Sequence, residues 1–400
     1  MPRYWAGVDA GKAHHHCVVI DDDGKRLLSR KVQNDENALL ELLAEVIELA
    51  GGATLTWACD LNHGGAALLL ALLAGHGQRL LYIPGRTVHH AAQSYRGDGK
   101  TDAKDAAIIA DQARMRRDLQ PIRVGDDIAT DLRLLTARRA DLVMDRTRAI
   151  NRLRATLLEY FPALEAAFDY ATTKTALVLL TRYQTPEGIR KAGPVKLANW
   201  LRKHGGYNVV RIVEKALAAA NSQHTTVPAQ RMGAQIVMKL ATEVLALRQS
   251  VDEIDRQITA RFAEHEHAEL MVSIPGFGPL LAAEFIAATG GDMSVFESAD
   301  RLAGVAGLAP VPRDSGRVTG NNHRPKRYDR RLLRACFLAA QSAALHCPIS
   351  KTYYDRKRSE GKNHTQAVLC LARRRINVIW AILRDQTPFT HEPGPLSLAA

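Results

Sequence analysis

The chain has 400 residues, 46% hydrophobic and 24% charged, the make-up of a globular protein of two or three domains. Its 54 Lys and Arg against 42 Asp and Glu leave a net +12, which favours nucleic acid or another polyanion as partner. Five scattered cysteines without a CxxC argue against a disulfide scaffold or zinc ribbon and fit a reducing cytosol. The start MPRYWAGVDAGK lacks the apolar core of a signal peptide and ALLLALLAG is too short to span a bilayer, so a soluble intracellular protein with no membrane partner is expected.

In chain order, residues 4–9 (YWAGVD) and 16–20 (HCVVI) read as buried strands, rich in β-branched and aromatic residues. DDDGK at 21–25 carries the Asp-Gly signal of a hairpin turn, and RLLSRKV at 26–32 is the return strand. DENALLELLAEVIELA (35–50) is an amphipathic helix closed by two glycines. ATLTWAC (53–59) is a fourth strand, a helix runs to about Gly75, and QRLLYIP (78–84) is a fifth strand. A three-strand meander followed by alternating helices and strands is the order of an RNase H-like α/β sheet with mixed pairing.

From about 128 to 270 the chain turns to long helices. Leu240, Val244, Leu247, Val251, Ile254, Ile258 and Phe262 recur at steps of three and four, a seam of the coiled-coil or helical-hairpin kind. Leu135, Leu142, Ala149, Leu153 and Leu157 make a similar stripe. Such stripes serve as core or as self-association surface. Between them, about 165–227 is less regular, broken at TPEG, AGP and HGGY. A compact, loop-rich region begins after 270, and the Pro-rich tail is expected to be disordered. The expected division is 1–127, 128–269, 270–384 and a tail, 385–400.

Strand one ends in GVDAGK, which places Asp9 on a rigid element able to aim a carboxylate at a metal. Strand four ends at WACD, which puts Asp60 beside Asp9 if those strands are neighbours. KTDAKDA opens an apolar helix with Asp102 and Asp105 three apart, on one face. On that stretch alone, an acid in the first turn is a plain cap that complements the helix dipole. Taken with Asp9 and Asp60, the pair leans towards metal. Four converging carboxylates repel unless divalent cations lie between them, and Mg²⁺, as one or two ions, is the natural partner of all-oxygen ligands meeting a phosphate. DAGK after a strand also suits the phosphate loop of actin-like and sugar-kinase folds. Those need a second DxG loop, which the chain lacks, and its basic balance is unusual for them.

SIPGFGPLLAAEFIAATG (273–290) carries the PGFG turn of a helix-hairpin-helix, where Gly276 and Gly278 would let backbone N–H groups approach a phosphate. An ordinary Gly-Pro turn is the plainer alternative. Over 313–334, eight Arg and Lys stand against Asp314 and Asp329, which is half the excess charge of the chain. Arg313, Arg317, Arg324, Lys326, Arg327, Arg330 and Arg331 have the composition of a phosphate-binding loop. Within it lies Ser315, flanked by Arg313 and Arg317. A serine is a poor nucleophile unless its proton is removed or its oxygen coordinated; surrounding arginines could bind the scissile phosphate and stabilise transition-state charge. Standing alone, Ser315 would read as a turn residue in a basic loop.

GVDAGK, the acid after the fourth strand, KTDAKDA, IPGFGPLLA, GLAPVPRDSG and RRLLRACFLAA follow one another in that order. Together, over nearly the whole chain, they resemble the DEDD transposases of the IS-one-ten insertion-sequence family. The resemblance implies a RuvC-like domain, a coiled coil and a C-terminal transposase domain. It implies strand exchange between double-stranded donor and target DNA, guided by a structured bridge RNA that pairs with both. Its acids map to Asp9, Asp60, Asp102 and Asp105, and its nucleophile to Ser315, which would form a covalent phosphoserine with a cut strand. The acids of one protomer would face the serine of another in a tetramer built from dimers. A bacterial cytoplasmic, nucleoid-associated location follows from the same likeness. One departure stands out: the second acid is usually Glu, and here it is the shorter Asp60.

Two other functions compete. One is a structure-selective nuclease hydrolysing DNA through the acids alone, and the other a non-catalytic architectural protein with a dead RNase H-like domain. Of the remaining features, HHH (14–16) alternates between sheet faces, so at most two of its rings share a side. Asp21, Asp22 and Asp23 read as turn residues, EHEH (264–267) as a solvated helix end, and Trp57 as core. Lys12, Lys100 and Lys104 lie near the acids, either to touch nucleic acid or to balance the acidic cluster.

Overall fold

A six-stranded mixed sheet organises the N-terminal part of the computed structural model, which describes residues 3–95, 99, 101–122 and 127–390. The chain forms two units, Met1–Gly125 and Asp126–Ala400. In the first, β1 (Arg3–Ala10), β2 (His14–Ile20) and β3 (Arg26–Gln33) form the antiparallel meander. Helix α1 (Glu36–Ala50) leads to β4 (Thr54–Cys59), which pairs parallel to β1, and α2 (Ala67–Gly75) leads to β5 (Arg79–Tyr82), parallel to β4. The order is β3-β2-β1-β4-β5-β6, consistent with an RNase H-like domain. Two further elements escape the sequence patterns: α3 (Gly85–Ala92) and the two-residue edge strand β6 (Gln120–Pro121), which follows α4 (Asp102–Met115).

Side-chain alternation along β1 divides the core. Ala6 and Val8 join Cys17, Val19, Trp57 and Cys59 with the apolar faces of α1 and α2. Trp5, Val18, Ile20, Ala58 and Leu81 pack on the other side against Ala106, Ile109, Ala110 and Ala113 of α4. Trp57 is fully buried core, with its indole N–H donated to Gln78 Oε1 at 3.1 Å. Gly51, at φ +52°, closes α1 in the left-handed conformation that a glycine adopts without a Cβ penalty.

The second unit is built on α5 (Asp127–Tyr160) and α10 (Gln230–Ala263), each 34 residues or about 50 Å long. They run antiparallel: Arg261 Nε donates to Asp131 Oδ2 at 2.8 Å, and Arg139 pairs with Asp255. Between them come α6 (Pro162–Ala167), α7 (Lys174–Leu180), α8 (Pro186–Lys203) and α9 (Val209–Asn221), which share a core with Ala149, Leu153, Leu157, Val237 and Val244. Beyond α10 follow α11 (Ala268–Ser273), α12 (Pro279–Thr289) and α13 (Ala299–Val305). A small hairpin of β7 (Val311–Pro312) and β8 (Asn322–His323) precedes α14 (Arg330–His346), α15 (Pro348–Ser359) and α16 (His364–Asp385). Leu132, Leu142, Val251, Ile254, Ile258 and Phe262, from the base of the long pair, join one core with α12, α14 and α16.

Two expectations are corrected here, and the apolar stripes take the core reading of the two left open. The apolar seam is filled within the chain by α5 against α10, so it offers no evidence of self-association. EHEH is solvated only at Glu264 and Glu266: His265 and His267 are buried, and the His267 N–H donates to His265 Nδ1 at 3.0 Å as the chain turns into α11. The tail expected to be disordered from 385 is held as far as Phe389, which packs on the core and donates its N–H to Ser273 Oγ at 2.9 Å; residues 391–400 lie outside the described residues. The base of the helical pair also shares its core with the C-terminal region, so the packing does not separate 128–269 from 270–384.

Candidate active site

Gly7 sets the geometry of the acids. A β-carbon there would lie 2.3 Å from both the Ala106 carbonyl oxygen and the Ala110 nitrogen, so α4 rests directly on the β1 backbone. A glycine inside a strand marks this kind of close approach. Asp9, two residues on, lies on the same face of the sheet. Asp102 and Asp105 occupy the turn of α4 just before Ala106.

Thr101, not Asp102, caps α4: its Oγ1 accepts the Lys104 N–H at 3.2 Å. Asp102 sits exposed and Asp105 half-buried in the first turn, where either acid complements the helix dipole without making the cap bond. In the parallel register Val8 lies opposite Cys59, so Asp9 and Asp60 leave neighbouring strands side by side. The Ala10 N–H donates to Asp60 Oδ1 at 3.2 Å. Burial raises the Asp60 carboxyl above its usual range, the Ala10 bond acts the other way, and the charge of Asp105 raises it further. Asp105 and Asp60 thus sense each other electrostatically.

On the other side of β1, His16 is the cross-strand partner of Asp9, and its Nε2 lies 3.0 Å from Ser29 Oγ. Burial lowers the His16 pKa, while Asp102 pulls it up. Asp9 and Asp60 thus end neighbouring strands, and Asp102 and Asp105 lie in the first turn of the helix that covers β1. Cys59, beside Asp60, is packed into the core on the α1 and α2 side of the sheet, and burial pushes its thiol up to about 12. Among the described residues no three His, Cys, Asp or Glu side chains are grouped so that they could hold one metal ion. The donor chemistry nonetheless fits a hard dication: the oxygens are carboxylate, and Asp60 is destabilised as an anion in a way that a nearby cation would relieve. Lys100 lies outside the described residues.

Ser315 belongs to the second unit. Arg313 donates its N–H to the Asn321 carbonyl at 2.9 Å, and Ser315 and Val318 exchange both backbone bonds at 3.0 and 2.9 Å. Asp314 Oδ1 accepts the Asn321 N–H at 2.9 Å. Ser315 therefore sits at the tip of a tight hairpin, exposed, between the exposed Arg313 and Arg317. Its Oγ makes no hydrogen bond among the described residues.

Arg324, Lys326, Arg327, Arg330 and Arg331 are also exposed, whereas Arg324 donates to the Tyr328 hydroxyl at 3.1 Å and packs over its ring. Arg334, part of the sequence count, is neutralised by Glu284. The two glycines of PGFG differ. Gly276, at φ +85°, has the Ala339 carbonyl oxygen of α14 2.2 Å from where its β-carbon would be, so helix packing and backbone conformation by themselves require a glycine there. Gly278 opens onto empty space at the start of α12. Sequence reasoning missed Gly7, Thr101 and the buried Arg375, which donates to the Pro275 carbonyl and to Ser350 and so pins the PGFG loop. Gly7 carried a signal, as a lone glycine within a strand, and so did Thr101, as a threonine before an apolar helix; Arg375 carried none.

Residues 6–162 match a family profile described as transposase, and residues 268–355 match the profile of the transposase IS116/IS110/IS902 family. The chain is 62% identical to the 42 kDa protein of insertion element IS900 from Mycobacterium paratuberculosis, over 99% of each chain. It is 48% identical to the 44.8 kDa protein of insertion element IS116 from Streptomyces clavuligerus, over 98% of this chain and 97% of the relative. To the 43.6 kDa protein of insertion element IS110 from Streptomyces coelicolor it is 35% identical, over 98% and 97%. No single described helix is long and apolar enough to cross a membrane.

Proposed function

The chain belongs to the IS116/IS110/IS902 family of transposases, enzymes that cleave and rejoin DNA, and from that membership we propose an RNA-guided strand exchange that uses Mg²⁺ and a serine nucleophile. What supports this reading is that Asp9 and Asp60 end neighbouring parallel strands, while α4, which opens with Asp102 and Asp105, rests on the β1 backbone at Gly7. Asp9, Asp60, Asp102 and Asp105 would hold one or two divalent ions there. Bound Mg²⁺ would offset the gathered negative charge and polarise a phosphoryl oxygen. Asp60 would serve as the second acid, since its carboxylate already accepts the Ala10 N–H that fixes its direction.

Ser315 supplies the hydroxyl. Its Oγ would attack phosphorus, the Oγ–P bond would replace one P–O bond of the phosphodiester, the hydroxyl proton would go to solvent or base, and the displaced strand would leave as an alcohol. Exposure at a hairpin tip suits a group that must reach DNA, and Arg313 and Arg317 on either side suit binding of the scissile phosphate. Arg324, Lys326, Arg327, Arg330 and Arg331 would track the phosphate backbone, with Gly278 offering the open helix start of α12. In this reading donor and target are double-stranded DNA, a structured bridge RNA selects them, and protomers associate into dimers and tetramers. Residues 1–127 would be the RuvC-like module, 128–269 the helical connector and 270–384 the transposase module.

The test is to change Asp9→Ala and Ser315→Ala separately and assay strand exchange with the RNA encoded beside the reading frame. Full activity in either variant would remove the assigned role. The hydrolytic nuclease draws on one observation, that Ser315 Oγ has no bonded base. Continued cutting by Ser315→Ala, without a protein–DNA adduct, would select it.

A further inference from the structure

Residues 163–267 fall between the two family matches, and the α6–α9 bundle within them carries an unusual surface. Over 182–215 the chain has eight Lys and Arg against Glu187 and Glu214. Arg190 and Lys215 donate to backbone carbonyls. The other six cations are exposed, and none of them forms an ion pair among the described residues. Unpaired like charges on one small body repel, and a polyanion relieves that repulsion.

The same body presents flat rings. Gly193, at φ +65°, and Pro194 break α8, and its second half carries Trp200. The Arg182 guanidinium lies 4.6 Å from the centre of that indole and the His204 ring 3.6 Å from it. His204 is fixed by Nδ1, 2.8 Å from the Trp200 carbonyl oxygen. Lys196 and Lys203, four before and three after Trp200, share its helix face. Three residues beyond His204, Tyr207 is 51% exposed, yet its backbone N–H and carbonyl both bond to the buried Thr175 Oγ1 at 3.0 Å. Its ring is presented from a locked loop.

We propose that this face of the bundle, with Lys196, Lys203 and Arg182 for phosphates and His204 and Tyr207 for bases, docks an unpaired segment of RNA. Basic side chains interleaved with aromatic rings suit a single strand, whose bases have free faces to stack; a duplex hides those faces. The inference rests on the guided reading above, in which the DNA partners are duplexes and the RNA supplies unpaired loops.

The test uses the full chain at fixed salt, with a 4-thiouridine-labelled transcript of the flanking non-coding RNA, photo-crosslinked and mapped by peptide. The expected result is adducts on peptides within 182–211, retained against excess duplex DNA. Tyr207→Ala should weaken RNA binding at least about fivefold, the lower end for one stacked base, and Tyr207→Phe should restore it. Lys196→Glu with Lys203→Glu should weaken binding and reduce its salt dependence. RNA bound with adducts only elsewhere, or adducts lost to duplex DNA, would overturn the platform and leave the guided reading standing. No RNA binding by the wild-type chain would overturn both.

Discussion

Gly7 and Ala106 meet backbone to backbone: a β-carbon on the first would come within 2.3 Å of the carbonyl oxygen of the second. This contact lets α4 lie flat on β1, and Asp9 follows two residues after Gly7 on the face that the helix covers. Gly7→Ala should therefore displace α4, lower stability by about 1–3 kcal/mol as over-packing does, and lower strand exchange further than the stability loss explains. Denaturant titration beside an activity assay measures both. Unchanged values would show that the close approach does not position the acids.

Asp60 gives a pH signature. Its carboxyl is raised chiefly by burial, so the folded chain holds that proton more tightly than the unfolded chain does. The associated stability is complete below the unfolded pKa and is lost as pH climbs through the folded one. Without divalent metal, the wild type should lose stability relative to Asp60→Asn from pH ~4 upward, where an ordinary carboxylate ionises. Melting curves across pH read this directly. Adding Mg²⁺ at neutral pH should raise the melting temperature of the wild type and leave the Asn variant unmoved.

The two glycines of the PGFG turn should respond differently. Gly276→Ala meets both a positive φ and the α14 backbone and should cost about 2 kcal/mol or more. Gly278→Ala adds a methyl group to open space and should change stability by less than about 0.5 kcal/mol while weakening DNA binding. Equal losses of stability would contradict the packing distinction.

Ser315→Ala should fold normally, with stability within about 0.5 kcal/mol of wild type, because its exposed Oγ holds nothing in place. Strand exchange should vanish all the same. A variant that melts early would place Ser315 among the structural residues.

Strands β1 to β5, α1 and the two apolar stripes are legible in the sequence, because alternation and helical periodicity are local properties. The same periodicity names a face and not its partner, which is why the seam could not be told from a dimer interface until α5 met α10. EHEH looked polar enough for solvent; the turn from α10 into α11 buries both rings through contacts that the four letters do not contain. Gly276 read as a turn glycine, yet the backbone that demands it arrives from Ala339, over sixty residues later. The pairing of Asp9 with Asp60 was legible only as a condition on strand order, and the parallel register of β1 and β4 meets that condition. Thr101 had been overlooked beside the more conspicuous Asp102, although a threonine before an apolar helix is a capping signal in its own right.

The most direct measurement incubates the purified protein with its RNA, donor and target DNA and Mg²⁺, stops the reaction in denaturant, and maps any protein–DNA adduct by mass spectrometry. The account predicts a phosphodiester-linked strand on the peptide carrying Ser315, absent from Asp9→Ala and absent when the ions are chelated. Cut DNA with no adduct, or an adduct on any other side chain, would contradict it.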